Sequence, residues 1–322
     1  MPFARFIARR LLLAIVTLWL VSVGIFAAVE VLPGDVARLM LGQFATEHDI
    51  ALVRQQLGLD RPLAVRYGDW AAGVLAGELG QSWRLRTPIA PLAIERLGNS
   101  AALAGLAFLV IVPLSILGGV VAALRRGRLG DRLITLGGMF GMAVPEFVSS
   151  MFLILAFSLW LKVLPASARI PAEESIFAHL DALILPVVAL GLVLFGYVSR
   201  MVRASMIGEL QRGYVRTARL KGLDPWTVIL SHVLRTALLP TITVIANQIS
   251  WLVGGLVVVE NVFNYPGLGQ LLLQAALGQD VPLLEATVLV LAAILMLANL
   301  TADILHGLLN PRIRVQPPGA PT

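Results

Sequence analysis

The chain of 322 residues alternates between long apolar runs and shorter polar segments. A helix that crosses a membrane needs about 20 consecutive apolar residues, with a range of roughly 17–25. Six runs meet or exceed this length, and none holds more than two charged side chains. The pattern therefore predicts an all-α membrane protein with six transmembrane helices, at residues 11–31, 99–124, 133–161, 182–199, 237–259 and 283–305.

The first run follows Arg5, Arg9 and Arg10 and contains one charged residue, Glu30, near its end. A secretory signal peptide would have an apolar core of roughly 7–15 residues followed by a small-residue cleavage site. This run is longer and lacks a convincing site, and a twin-arginine export signal is likewise disfavoured. We therefore predict an uncleaved helix preceded by a cytoplasmic N-terminus, residues 1–10.

The polar segments contain short elements of their own. In the long segment 32–98, Thr46 precedes apolar residues at helical spacing and predicts a short capped helix. In the segment 260–282, a Pro266-Gly267 turn precedes the apolar stretch 268–277. We expect that stretch to lie along the membrane interface.

The distribution of basic residues sets the topology. Sixteen of the 25 lysines and arginines fall in four segments, 1–10, 125–132, 200–236 and 306–322. Short loops rich in Lys and Arg stay in the cytoplasm, whereas a long segment such as 32–98 can be translocated despite its seven arginines. Both termini are therefore predicted to be cytoplasmic.

Composition agrees with this class and narrows the chemistry. The chain is 58% hydrophobic and 14% charged, where soluble domains carry roughly 25% charged residues. The net charge of +6 is spread over short loops and does not form a nucleic-acid-binding patch. The absence of cysteine excludes disulfides and thiolate metal sites, and the four histidines lack metal-ligand spacing.

No pattern for hydrolysis is present in the sequence. The chain has two lysines, Lys162 and Lys221, and neither completes the phosphate-binding pattern G-x-x-x-x-G-K-[ST]. The patterns H-E-x-x-H and G-x-S-x-G are also missing. If the chain moves a solute uphill, the energy must therefore come from an ion gradient or from a partner protein.

The stretch Tyr214–Pro240 stands out because it is strongly basic in an otherwise apolar chain. Three cations precede Gly222, and Trp226 then begins an apolar pattern at helical spacing that includes Val228 and Val233. This order predicts a helix, a glycine turn and an amphipathic helix in the cytoplasm.

This stretch resembles the cytoplasmic EAA loop of permease subunits of ABC importers. Nearly the whole chain resembles the B-type permease of the dipeptide, oligopeptide and nickel group. The matching motifs, in order, are Arg9-Arg10-Leu11-Leu12, Leu32-Pro33-Gly34-Asp35, Leu164-Pro165-Ala166-Ser167, Tyr214-Val215-Arg216-Thr217-Ala218-Arg219, Lys221-Gly222-Leu223, Val259-Glu260-Asn261-Val262-Phe263, Pro266-Gly267-Leu268-Gly269 and Pro311-Arg312-Ile313-Arg314.

The resemblance implies a multi-pass protein of a prokaryotic inner membrane, with one permease domain at about 95–310, that works by alternating access. It implies four kinds of partner: a second homologous permease, two ATPase subunits, an extracytoplasmic solute-binding protein and membrane lipid. ATP and Mg would bind to the ATPases, and this chain would hold no cofactor, metal or catalytic residue.

The resemblance also implies that the basic stretch is a coupling loop that docks on an ATPase. The residues assigned to this contact are Tyr214, Arg216, Thr217, Ala218, Arg219, Lys221, Gly222 and Trp226. Gly222 would permit a turn with positive φ, and Trp226 and Val228 would form an apolar anchor. The alternative is a basic loop that only fixes the topology.

The chain departs from the family pattern at several positions. Arg216-Thr217-Ala218 stands in place of Glu-Ala-Ala, and Arg235 occupies a position that is Pro in the general motif. His306 stands for a usual Tyr, and Asn310 for the Asp before Pro-Arg. Glu146 stands near Pro145, where relatives usually carry Ser.

Polar groups within the apolar runs are candidates for the substrate pathway, since such groups are costly in a membrane and often functional. The candidates are Glu146, Asn247, Gln248 and Asn299. Glu146 could attract a cationic solute or the α-amino group of a peptide, or it could pair with an arginine or lie nearer to the interface. The amides could instead form hydrogen bonds between helices, and we expect Asp303 to pair with an arginine.

The substrate predicted by the resemblance is a dipeptide or oligopeptide, with a nickel chelate or a glutathione-like solute as alternatives. Two further classes remain open: a secondary transporter driven by an ion gradient, and a membrane-embedded enzyme. The first would need several buried ionisable groups and the second a cluster of catalytic side chains, and the sequence offers neither.

Overall fold

The computed structural model describes residues 2–31, 46–56, 58, 60–169 and 179–309. Its helices are α1 Pro2–Val31, α2 Glu47–Gln56, α3 Leu63–Leu75, α4 Ile89–Leu124, α5 Leu129–Ala143, α6 Glu146–Trp160, α7 Leu180–Leu210, α8 Gly213–Leu220, α9 Pro225–Val262, α10 Leu268–Leu277 and α11 Val281–Leu309. The motif at 32–35 and the tail at 310–322 lie outside the described residues.

Five of the described helices, α1, α4, α7, α9 and α11, are long and apolar enough to cross a membrane. The bent pair of α5 and α6 makes a sixth span when it is counted as one. This all-helical architecture confirms the predicted fold class. The helices that hold the other five predicted spans begin before those spans, because helical structure continues into the preceding polar sequence, whereas α1 and α4 end at the predicted residues 31 and 124.

The predicted span at 133–161 is not one continuous helix. Pro145 separates α5 from α6, and the two helix axes differ by 114°. Val144, the residue before this proline, has extended backbone angles of φ −88° and ψ 126°. Proline disfavours helical angles in the residue that precedes it, so the helix ends there and restarts at Glu146. The last part of α6, Ile154–Trp160, is a π-helix.

The predicted boundary between the fourth span and the cytoplasmic segment, at 199/200, also lies inside a helix. α7 has 31 residues and ends at Leu210. Arg203 lies within it and forms a two-point ion pair with Asp131 of α5, at 2.5 and 2.8 Å. An arginine can therefore continue a membrane helix at its end when a carboxylate from a neighbouring helix pairs with it.

The chain divides into two compact units. The first comprises Met1–Arg10, Ser100–Pro266 and Leu297–Thr322, and the second comprises Leu11–Asn99 and Gly267–Met296.

The core of the first unit forms around α7, which packs against α5, α6 and α9. Leu190, Leu194 and Val198 of α7 are buried. A Cβ atom added to Gly138 of α5 would lie 3.2 Å from the Cα atom of Gly196 on α7. Such close approach of two backbones needs small residues at the contact, as in other membrane helix pairs.

In the second unit, the carboxylate of Asp280 anchors a turn that precedes α4. It accepts hydrogen bonds from the Ser82 hydroxyl at 2.5 Å and from the backbone N–H groups of Trp83 and Arg84 at 3.2 and 3.0 Å. Asp280 also accepts the N–H of Leu283, in the first turn of α11. One buried carboxylate thus joins the turn to the beginning of a membrane helix.

The predicted cap at Thr46 is confirmed. Its hydroxyl accepts the backbone N–H of Asp49 at 3.2 Å, and the Asp49 carboxylate accepts the N–H of Thr46 at 3.3 Å. This reciprocal pair satisfies two donors at the beginning of α2. The predicted apolar stretch at 268–277 is also a helix, α10.

Candidate functional site

The basic stretch folds as a short amphipathic helix, α8, after α7. Val215 and Ala218 are buried, whereas Arg216, Thr217 and Arg219 are exposed. Because Ala218 faces the interior of its unit, it supports the helix and does not offer a side chain to a partner. The exposed residues of the predicted coupling set lie on the opposite face.

α8 ends in the glycine turn that the sequence predicted. Gly222 has φ +78°, in the left-handed region that favours glycine. The N–H of Gly222 bonds to the carbonyl of Arg219 at 3.0 Å, and the N–H of Leu223 bonds to the carbonyl of Ala218 at 3.3 Å. These two bonds form a Schellman motif, which satisfies carbonyls at the helix end.

The next helix, α9, begins immediately after this turn. The Asp224 carboxylate accepts the backbone N–H groups of Trp226 and Thr227 at 2.9 and 3.2 Å, and Pro225 occupies the first helical position. This cap fixes the direction in which Trp226 projects. Two adjacent end motifs therefore define the backbone of the whole stretch.

Apolar side chains on this stretch are exposed to solvent. Trp226 is 62% exposed and Leu220 is 79% exposed, and Leu223 is exposed as well. Three exposed cations lie beside them in the sequence. We call this set the coupling surface, and it comprises Arg216, Arg219, Leu220, Lys221, Leu223 and Trp226.

The sequence interpretation identified the cations and Trp226 but was wrong about Val228. Val228 is only 1% exposed and belongs to the core of its unit, so it cannot be a docking anchor. Leu220 and Leu223, which flank the glycine turn, were missed. The sequence did offer a signal, because Leu220 and Leu223 flank a turn and do not continue the apolar face of either neighbouring helix.

Tyr214 connects the coupling surface to two long helices. Its hydroxyl donates a hydrogen bond to the Glu209 carboxylate near the end of α7 at 2.8 Å, and the side chain of Thr236 on α9 lies next to it. Partial burial, together with the bond to Glu209, raises the pKa of the Tyr214 phenol above its ordinary value. The neutral hydroxyl therefore persists at physiological pH and links α8 to α7 and α9.

Glu146 lies at the beginning of α6, directly after the bend at Pro145. Its carboxylate packs against Gly255 of α9: a Cβ atom added there would lie 2.6 and 2.8 Å from the two carboxylate oxygens. Within the described residues, its Oε1 atom has no hydrogen-bond partner and no arginine pairs with it. The alternative of an arginine pair therefore finds no support in the described chain.

The three candidate amides differ in their surroundings. Gln248 is buried, and its Oε1 atom has no partner among the described residues. Asn247 and Asn299 are exposed on α9 and α11. The expected pair is found for Asp303, whose carboxylate lies 3.1 Å from Arg10 Nη1.

Comparison with known proteins identifies the family. The sequence profile described as binding-protein-dependent transport system inner membrane component matches residues 115–315. The profile described as the N-terminal part of such membrane components matches residues 3–96. A binding-protein-dependent system implies a solute-binding protein and ATPase partners.

Individual relatives match along almost the full chain. A protein of Brucella abortus (strain 2308), named as a peptide transport system permease, is 36% identical over 308 residues, which cover 96% of this chain and 98% of the relative. A protein of Sinorhizobium fredii (strain NGR234), named as a peptide ABC transporter permease, is 34% identical over 309 residues, with 96% and 99% covered. A glutathione transport system permease of Escherichia coli O6:H1 is 38% identical over 309 residues, with 96% and 98% covered.

With profiles over most of the chain and relatives that are 34–38% identical, the chain belongs to the family of inner membrane components of binding-protein-dependent transport systems, as a multi-pass ABC importer permease of the peptide transport type.

Proposed function

We propose that this permease moves short peptides across the inner membrane, with energy from two ATPase subunits that dock on its coupling surface and on that of a second, homologous permease. The observation that carries the proposal is the coupling surface itself. Exposed Trp226 and Leu220 leave apolar area in water, which is costly unless a partner covers it. Aromatic residues are also enriched among the side chains that dominate binding energy at interfaces.

The basic residues of the coupling surface favour a partner that has acidic residues around its binding site. Arg216, Arg219 and Lys221 are all exposed, and none forms an ion pair with another residue of the described ranges. Cations around an apolar centre steer an oppositely charged partner and fix its orientation. This chain would bind no ATP or Mg and would have no enzymatic activity of its own.

The link through Tyr214 gives the docking a mechanical consequence. A push on α8 by a closing ATPase would reach α7 through Glu209 and α9 through Thr236. Both helices would then move with the coupling surface and change which side of the membrane the pathway faces. This is alternating access, with the ATPase cycle as its source of energy.

The exposed amides support a pathway between two permeases. Asn247 and Asn299 face out of this chain within membrane-spanning helices, and contact with lipid would leave their amides without partners. A second permease or a water-filled pathway would satisfy them. Trp251, one turn after Asn247 on α9, is exposed on the same side.

The substrate is proposed to be a dipeptide or a short oligopeptide, because relatives that match the full chain are named for peptide transport. Glutathione, a tripeptide, is the second candidate because a relative named for glutathione transport matches over the same length. The solute-binding protein would make most of the selection.

The test is transport by the complete complex in proteoliposomes. This chain would be reconstituted with the second permease, the ATPases and the binding protein of its own system, and uptake of labelled dipeptide, glutathione and nickel chelate would be compared. We expect ATP-dependent peptide uptake that stops when the ATPase catalytic site is mutated. Uptake that survives this mutation but collapses with a protonophore would instead establish a secondary transporter.

A further inference from the structure

Glu146 lies against Gly255 as a carboxylate without an ion-pair partner among the described residues, which is unusual within a membrane protein. An ionisable side chain in a membrane-spanning segment is costly and is normally paired. Here the carboxylate lies on the backbone of α9, and its Oε1 atom has no hydrogen-bond partner among the described residues. Glycine at position 255 leaves the space that the two carboxylate oxygens occupy.

Other polar atoms on the same two helices lack partners as well. The Oε1 atom of Gln248 is unpartnered within the described chain, as is the hydroxyl of Ser150, one turn after Glu146 on α6. Gln248 and Gly255 are seven residues apart on α9, so they lie on one face at a separation of roughly 10 Å. The unpartnered atoms of Glu146 and Gln248 are both acceptors only, so what both lack is a donor.

The neighbours of this contact leave it open to one side. Trp251 and Gly254 of α9 are exposed, as are Pro145 and Phe147 on either side of Glu146. Glu146 itself is half-buried, and its Oε1 atom is covered by protein. A ligand in the proposed pathway along α9 would therefore approach the carboxylate from this exposed side, and a small shift of the side chain would bring Oε1 into contact with it. The indole of Trp251 also offers an aromatic face, which attracts cations.

We propose that Glu146 is a cation-binding position of the pathway, which accepts the ammonium group of a peptide with a free amino terminus. An ammonium group supplies three N–H donors and a positive charge, the two things that the carboxylate lacks here. Gln248, two turns nearer to the cytoplasmic end of α9, is a second acceptor for the same group as the peptide advances. This inference rests on the proposed function, since it concerns the pathway of the same permease.

The first test is the substitution Glu146→Gln, which keeps the shape of the side chain and removes its charge. Uptake of one labelled dipeptide would be measured in the reconstituted complex, with Glu95→Gln as a matched control, because Glu95 is an exposed carboxylate in the first turns of α4, before the predicted span at 99–124. A hydrogen bond to a charged group is worth enough to change uptake about tenfold. We expect Glu146→Gln to lower uptake about tenfold and the control to match the wild type.

The second test measures the carboxylate directly and needs no binding protein. A hydrophobic carbodiimide would be applied to the reconstituted complex, and modification of Glu146 would be measured by mass spectrometry. We expect modification that a dipeptide with a free amino terminus reduces and its N-acetylated form does not. Gly255→Ala should displace the carboxylate, because its new Cβ atom would lie 2.6 Å from Oε1, and should abolish the protection.

Any one of three results would overturn the inference: uptake by Glu146→Gln within twofold of the wild type, absence of modification, or equal protection by the two peptides. Absence of ATP-dependent peptide uptake in the wild-type complex would contradict the proposed function instead. ATPase stimulation by the loaded binding protein, measured in every variant, shows that the complex has assembled.

Discussion

Removal of the indole at Trp226 should release the ATPase subunits. The side chain is 62% exposed, and burial of that fraction of an indole would cover about 150 Å². At about 25 cal/mol per Å², this area corresponds to at most about 4 kcal/mol of binding free energy. Alanine substitutions at central interface residues typically cost about 2–4 kcal/mol, so we expect ATPase binding by Trp226→Ala to weaken roughly 30- to 1,000-fold.

The assay is equilibrium binding of purified ATPase subunit to the permease in nanodiscs, by titration. The matched control is Trp160→Ala, because Trp160 is 84% exposed at the end of α6, on the side opposite the cytoplasm in the predicted topology. Neither tryptophan belongs to the buried core, so thermal unfolding of both variants should stay within about 0.5 kcal/mol of the wild type. Binding by Trp226→Ala within threefold of the wild type would refute the assignment of the coupling surface.

Three further substitutions test neighbouring features. Gly222→Val places a β-branched residue at φ +78°, which costs roughly 1–2 kcal/mol locally, and it should reduce ATP-driven uptake while circular dichroism shows unchanged helix content. Tyr214→Phe removes the hydroxyl that links α8 to α7 and α9, so we expect ATPase binding to persist while peptide transported per ATP hydrolysed falls; an unchanged ratio would count against the link. Asp280→Ala leaves buried donors unsatisfied at a cost of about 2–4 kcal/mol, and limited proteolysis should become faster within residues 80–88, whereas equal rates would show that the turn does not depend on this carboxylate.

The length of the apolar runs was sufficient to predict the membrane helices, because a membrane span has a fixed minimum length. Run length did not predict the bend between α5 and α6, which a single proline causes. Glu146 is the only charged residue in the run at 133–161, so no break in the apolar run marks the bend of 114°. Pro145 was the available signal, but prolines also lie inside long helices here, as Pro113 does in α4.

At the candidate site, the sequence predicted the backbone conformation better than it predicted which side chains are exposed. Gly222 and its turn follow from local chemistry, since few residues accept positive φ. Which apolar residues face solvent depends on tertiary packing, so the sequence could not separate buried Val228 from exposed Leu220. The unpartnered state of Glu146 likewise depends on what α9 places beside it.

The close contact of Gly138 with Gly196 has a consequence for movement. Two backbones in contact cannot slide past each other without a collision of side chains, and the ion pair of Asp131 with Arg203 fixes the same helices near one end. We therefore expect α5 and α7 to rotate together as one rigid pair. Because the chain bends at Pro145, a movement that begins at the cytoplasmic end would change the position of α6, with Glu146, relative to α9.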